Sequence, residues 1–228
     1  MDIVLLDKSK LGLGTGWDYR RNTTPKSIIV HTTNGNRGSN YSSETNYIYR
    51  SKTIGAHYII SKLGQITQLL NTSLRAWHAG AVNDQRYNNN NSIGIEVHYT
   101  PGEGTWTKAM YDSLTWLVRD LMKKHNISST LVDTHRRVAI PKGRKIDPSG
   151  FLDVEFYVWR NRLAAVDIKP FTTYRVISNN SRIRTSPKIA NNIVGSLSKD
   201  DIFVSEATKV DEKMQYINGI NTWSHITR

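Results

Sequence analysis

The sequence predicts an α/β chain, with a central mixed β-sheet flanked by helices, followed by a small all-β barrel. Three observations carry this expectation. Short β-branched runs, SIIVHTT (27–33), SIGIEVH (92–98) and TLVDTH (130–135), have the length and composition of buried strands. Segments 107–125 and 151–165 read as long helices among and after them. Past residue 165 no strong helical pattern remains. Short alternating pieces separated by Asn, Ser, Gly and Asp take over, as in small barrels.

Taken in order, the chain starts with MDIVLLDKSK, whose apolar stretch runs only from Ile3 to Leu6 with no basic segment before it. That is too short for a signal peptide, so the expectation is a soluble protein in the cytoplasm of the cell that makes it. SIIVHTT reads as a buried strand ending near His31. YSSETNYIYRSK (41–52) suits a short helix capped by Ser42 or Ser43. AHYIISKLGQITQLL (56–70) reads as a hairpin, with turn chemistry from Lys62 to Gly64. RYNNNNSIGIEVHY (86–99) passes from an Asn-rich loop into a strand. Its period of two puts Gly94, Glu96 and His98 on one face and Ile93, Ile95 and Val97 on the other. In 107–125, Met110, Leu114, Leu117, Leu121 and Met122 recur at helical spacing behind the cap candidate Thr107. TLVDTH is a strand with His135 at its end, and FLDVEFYVWRNRLAA (151–165) is the second long helix. VDIKP reads as a linker, giving domains 1–165 and 171–228 joined by 166–170. The barrel strands are expected in YRVI, SRIRT, NIVGSL, DIFVSEA, MQYING and TWSHIT.

The bulk numbers bound the function. A length of 228 residues with 38% apolar content suits one medium domain plus a small one. Without cysteine there is no disulfide and no thiolate metal site, so any metal must be held by His, Asp or Glu. No apolar run approaches the roughly 20 residues of a membrane helix, so no membrane insertion is expected. The net charge of +12 favours an acidic partner: nucleic acid, anionic lipid or a wall polyanion. No helix-turn-helix, RNP-like aromatic pair or basic helix is present, so nucleic acid is not the expected partner. No pattern specifies the oligomeric state.

Among seven histidines, His31 and His135 sit at the ends of short buried strands, where ligands collect in such sheets. Asp147 follows in a Pro- and Gly-rich loop. Two imidazoles and a carboxylate suit zinc with one open position, where a bound water has its pKa lowered to about 7. A histidine at a strand end is also a common hydrogen-bonded core residue, and no tight HxxxH pattern exists. Spacing alone leaves both readings open. The face of Glu96 fits a groove or water equally. The stretch DTHRRVAIPKGRKIDPSG (133–150), with five Lys or Arg, fits a polyanion-binding loop or an active-site loop.

Five stretches in order, IIVHTT, GAHYIIS, RAWHAG, NSIGIEV and DTHRRVAIPKGRKIDPSG, resemble the type-2 zinc-dependent N-acetylmuramoyl-L-alanine amidases over about residues 25–162. That family includes phage endolysins and shares its fold with peptidoglycan-recognition proteins. The resemblance implies His31, His135 and Asp147 as zinc ligands, and Lys145, two positions before the third ligand, as a catalytic cation. It implies Glu96 as the catalytic carboxylate. Members using a Tyr before the hairpin histidine have it where this chain has Ala56, which leaves Glu96 as the base. Trp77 and His78 would border the substrate groove. Of the other histidines, His57 is expected inside and structural, His98 near Glu96, and His125 at a helix end suited to its charge. No partner is identified for His225. Arg136, Arg137, Lys142 and Arg144 are expected as solvated charge.

Residues 171–228 resemble a bacterial SH3-type domain. SRIRTSP is similar to that family's LNVRSGP and TWSHI to its closing GWxKV, with Ile183 and Ser186 as departures. Such modules bind the cell wall, and Tyr174 and Tyr216 are the candidate contacts, Trp223 fitting the core better. The implied function is a Zn2+-dependent endolysin that cuts peptidoglycan between N-acetylmuramic acid and L-alanine. It would wait in the cytoplasm until lysis, its charge drawing it to anionic wall polymers. The alternative is a non-catalytic peptidoglycan-recognition protein on the same scaffold. Such relatives commonly lose a ligand, and this chain keeps all three.

Overall fold

The β-branched run at 27–32 forms β3 (Ser27–Thr32), buried along its whole length. It lies between β7 (Ser92–Val97) and β8 (Val132–Thr134), parallel to both. The computed structural model describes residues 2–20, 23–36 and 38–164, and beyond them the backbone of six strands between 172 and 224. The chain divides into two compact units, Met1–Leu152 and Asp153–Arg228.

In the first unit, β1 (Ile3–Leu5), β4 (Tyr58–Ile60) and β5 (Ile66–Gln68) complete a six-stranded sheet in the order β1-β5-β4-β7-β3-β8. Only the β4–β5 hairpin is antiparallel, so the sheet is mixed as expected. β2 (Trp17–Arg20) and β6 (Leu74–Ala76) form a separate antiparallel pair. One sheet face takes α2 (Lys108–His125), whose Met110, Leu114, Leu117, Val118 and Leu121 are buried, with Thr107 as the predicted cap. Ser113 on α2 donates to the Gly64 carbonyl at 2.7 Å, where φ of +85° fits glycine in the hairpin turn. The other face takes α1 (Tyr41–Arg50), whose Ile48 packs with Ala56, Ile59 and Leu69.

Several local features differ from expectation. The cap of α1 is Asn40, in a reciprocal capping box with Ser43, because its amide oxygen can accept from the Ser43 N–H. His135 does not end a strand; it opens the short helix α3 (His135–Val138) directly after β8. The C-terminal end of α1 has a partner the sequence did not suggest. The buried Lys8 donates to the carbonyls of Ile48, Tyr49 and Ser51 at 2.5, 2.9 and 3.0 Å. Those carbonyls have no helical N–H to meet, and a cation there also suits the helix dipole.

The second unit starts with α4 (Asp153–Arg162), shorter than the expected 151–165. Its described strands are β9 (Thr172–Arg175), β10 (Ser181–Arg184), β11 (Ile193–Leu197), β12 (Ile202–Asp211), β13 (Met214–Asn218) and β14 (Thr222–Ser224). They pair antiparallel in the order β11-β10-β14-β13-β12-β9. Each overlaps one of the six pieces read as strands. The linker 166–170, His225 and the side chains of Tyr174, Tyr216 and Trp223 lie outside the described residues.

Candidate metal centre and active site

β3, β7 and β8 run parallel, so their C-terminal ends open at one edge of the sheet, the usual place for a ligand in α/β folds. His31 stands at that end of β3 and His135 follows β8. In register across β3 and β7, His31 pairs with Glu96, so the two share a face. Asp147 arrives from the loop after α3. The loop is tied to the sheet: Arg136 N–H donates to the Asp147 carbonyl at 2.8 Å, and Ser149 N–H to the Thr32 hydroxyl at 2.9 Å.

The result is a buried triangle. His31 Nδ1, His135 Nδ1 and Asp147 Oδ2 lie 3.0 Å from one another on all three sides. A tetrahedral zinc with ligand bonds of about 2.0–2.1 Å has edges of about 3.3 Å, so the donor set and its spacing fit such an ion. The three residues could hold a metal ion. Burial pushes His31 down to about 4, helped by the charge of His135 and opposed by the hydrogen bond to Asp147. For Asp147, burial acts upward, but the hydrogen bonds to His135 and His31 and their charges outweigh it and hold the carboxyl well below its usual range. At neutral pH His31 is therefore neutral and Asp147 ionised, the states in which both offer lone pairs to a cation.

Glu96 is half-buried beside this triangle, and its Oε2 has no hydrogen-bond partner among the described residues. Burial pushes its carboxyl up to about 8, the negative Asp147 and Glu44 add to this, and Lys145 opposes it. Lys145 is near enough for its charge to act on both Glu96 and His31. The Trp77 side chain is near enough to the Asp18 carboxylate on β2 to help hold its pKa down. His78 meets His31 ring to ring, with centroids 5.2 Å apart.

The other described histidines, His57, His98 and His125, are held by the fold. His57 Nδ1 accepts from Gly94 N–H at 3.0 Å and its Nε2 faces the Leu74 carbonyl at 3.1 Å, the structural role expected of it. His98 Nε2 lies 3.3 Å from the Ser39 carbonyl, and His125, at the end of α2, bonds to Thr72 at 3.1 Å.

The arginines of the 133–150 loop correct an expectation: they are not simply solvated. Arg136 donates to the carbonyls of Pro148 and Phe151, and Arg137 Nε donates to Asp133 at 2.7 Å. Arg144 donates to the carbonyls of Ile140, Ala79 and Ala81 at 2.7, 3.1 and 2.7 Å. The Ala79 carbonyl also lies 3.0 Å from His135 Nε2, so one main-chain oxygen serves both a member of the triangle and the loop cation. A guanidinium fork can bridge several carbonyls, which sequence spacing does not reveal. Lys142 is exposed, as expected.

Comparison with known proteins points the same way as this geometry. The 1,6-anhydro-N-acetylmuramyl-L-alanine amidase AmpD of Haemophilus influenzae is 39% identical over 114 residues, covering 49% of this chain and 60% of the relative. N-acetylmuramoyl-L-alanine amidase A of Achromobacter lyticus is 30% identical over 103 residues, covering 44% of this chain and 53% of the relative. The chain thus spans little more than half the length of these curated relatives. Among solved structures, PlyL superposes with a TM-score of 0.58 at 22% identity, over 74% of this chain and 100% of that one. The catalytic domain of XlyA gives 0.56 at 24% identity, over 72% and 100%. At those identities the likeness concerns the fold. The family described as N-acetylmuramoyl-L-alanine amidase matches residues 21–150, a stretch holding His31, Glu96, His135, Lys145 and Asp147. The chain belongs to the N-acetylmuramoyl-L-alanine amidase family.

Proposed function

We propose that the chain is a zinc-dependent peptidoglycan hydrolase of endolysin type, cutting the amide between N-acetylmuramic acid and the L-alanine of the stem peptide. The observation that carries this reading is the buried His31–His135–Asp147 triangle with Glu96 paired to His31 in the sheet. Zinc, when bound by these three residues, supplies Lewis acidity and a water whose pKa lies near 7. Glu96 accepts a proton from the attacking water and returns it to the amide nitrogen as the C–N bond breaks. The oxygen stays on the lactyl carbonyl carbon and the amine leaves neutral. Burial and the negative Asp147 raise the Glu96 carboxyl, and a cation held in the triangle would act the other way, favouring the carboxylate that accepts the proton. Lys145 brings a fixed positive charge to the oxyanion, a contribution on the order of 3 kcal/mol to the barrier. Trp77 and His78 lie on the proposed groove wall.

Residues 1–165 are the proposed catalytic domain, 166–170 the linker and 171–228 an SH3-like wall-binding domain. The enzyme would wait in the producing cell until lysis and then reach the wall, with peptidoglycan and its anionic polymers as partners. Mass spectrometry of digested peptidoglycan tests the reading directly. New L-alanine amino termini are expected, and new reducing ends alone would overturn it. Glu96→Gln should lower turnover by roughly 100-fold or more while zinc content and circular dichroism stay unchanged. Carefully prepared protein without stoichiometric zinc would point to wall recognition without catalysis.

A further inference from the structure

The metal-facing atom of His31 is Nδ1, since that is the atom in the triangle with His135 and Asp147. A neutral imidazole that gives its Nδ1 lone pair to a cation carries its proton on Nε2. That Nε2 lies 3.1 Å from His78 Nδ1. With a cation in the triangle, the bond has one polarity: His31 Nε2–H donates and His78 Nδ1 accepts.

The polarity continues outward. The His78 proton must then sit on Nε2, which lies 3.2 Å from the Ser92 hydroxyl oxygen and 3.4 Å from the Ser92 carbonyl. The Ser92 hydroxyl directs its own hydrogen at the carbonyls of Tyr87 and Asn88, at 3.0 and 2.7 Å, leaving its oxygen to accept. The His78 ring has little freedom to leave this line. It lies over Gly94, where a Cβ would come within 2.6 Å of its Cγ and 2.7 Å of its Nδ1. The adjoining backbone is pinned by Asn89 Oδ1, which accepts from the N–H groups of His78 and Ala79 at 3.0 and 2.7 Å.

We propose that His78 is a positioning residue for the metal centre: its Nδ1 lone pair fixes the tautomer and ring orientation of His31 and thereby the affinity for the ion. The inference rests on the reading that the triangle binds zinc. It assigns His31 a neighbouring imidazole where His135 has the Ala79 carbonyl. Such outer partners typically contribute 10–100-fold to metal affinity.

The test uses the full chain and chelator competition for zinc, alongside thermal melts. His78→Leu, which has no acceptor, is expected to weaken zinc binding roughly 10–100-fold. His78→Asn, whose Oδ1 can accept near the position of Nδ1, should recover most of that loss. Nitrogen-15 NMR of zinc-loaded wild-type protein should find His78 protonated on Nε2 and not on Nδ1, whatever the variants do. Unchanged affinity in His78→Leu, equal losses in both variants, or an Nδ1–H tautomer would overturn the proposal. Wild-type protein that takes up no zinc overturns the metal reading and this inference with it. Zinc-binding wild type with an indifferent His78→Leu overturns this inference alone.

Discussion

Lys8 is a single side chain that holds a helix end, and its charge state sets a testable pH dependence. Three carbonyls accept from its buried ammonium, yet burial still pushes the group down to about 8. An unfolded lysine titrates near 10.4. Between those two values the unfolded chain binds the extra proton, so stability rises with pH across that window. Lys8→Met removes both the donor and the titration. We expect it to cost roughly 2 kcal/mol at pH 7 by leaving buried acceptors unmet. In urea melts the gap to wild type should widen from pH 7 to pH 10; a narrowing gap would mean that the carbonyls outweigh burial. None of this was legible in MDIVLLDKSK, because the acceptors come from residues 40 to 43 positions away. Glu96, by contrast, was legible as one of two strand faces. What remained open was what covers that face, which the sequence decides only through folding.

At the scale of elements, what could be read followed length and periodicity. Helix α2 and the β4–β5 hairpin came through because the first repeats its apolar positions over 18 residues and the second brackets a Lys-Leu-Gly turn. β1, β2 and β6 did not: like β4 and β5 they hold too few positions to establish a period, and unlike those two they bracket no tight turn that marks them. Gly94 on β7 is the strand position where an added methyl should cost most. Its Cβ would overlap the His78 ring, which cannot move without giving up its bonds. Gly94→Ala should lower the melting temperature by several degrees. It should also weaken zinc binding in a chelator titration; a variant with wild-type melting and affinity would mean that the ring shifts freely. The triangle itself illustrates the limit of spacing. His31 and His135 are 104 residues apart, and only the parallel pairing of β3 with β8 brings them together. The proposed ligand set was therefore readable through family resemblance and not through any local pattern. The bonds of Arg144 to Ala79 and Ala81 escaped for the same reason.

At the scale of the whole molecule, the net charge of +12 is the property the site does not explain. Arg137 is paired with the Asp133 carboxylate, whereas Arg136 and Arg144 bond neutral carbonyls and keep their full charge, so both still contribute to the field of the molecule. Walls rich in phosphate polymers should bind the protein more weakly as salt rises, because the screening length falls from about 10 Å at 0.1 M to about 3 Å at 1 M. Sedimentation with purified walls over that range, with and without their anionic polymers, checks this. Equal binding at both ends would remove charge as the cause. No helix among the described residues is long and apolar enough to cross a membrane.

The pairing of His31 with Glu96 across β3 and β7 is made by main-chain bonds, which no side-chain replacement short of proline removes. Descendants of this chain can rewrite the surface and exchange one apolar core residue for another while those two groups stay neighbours. A single inserted residue inside either strand would leave composition and hydrophobicity almost unchanged, yet would turn one of the pair toward the opposite side of the sheet. What heredity must conserve here is a count of residues, so insertions and deletions threaten this chemistry more than most substitutions do.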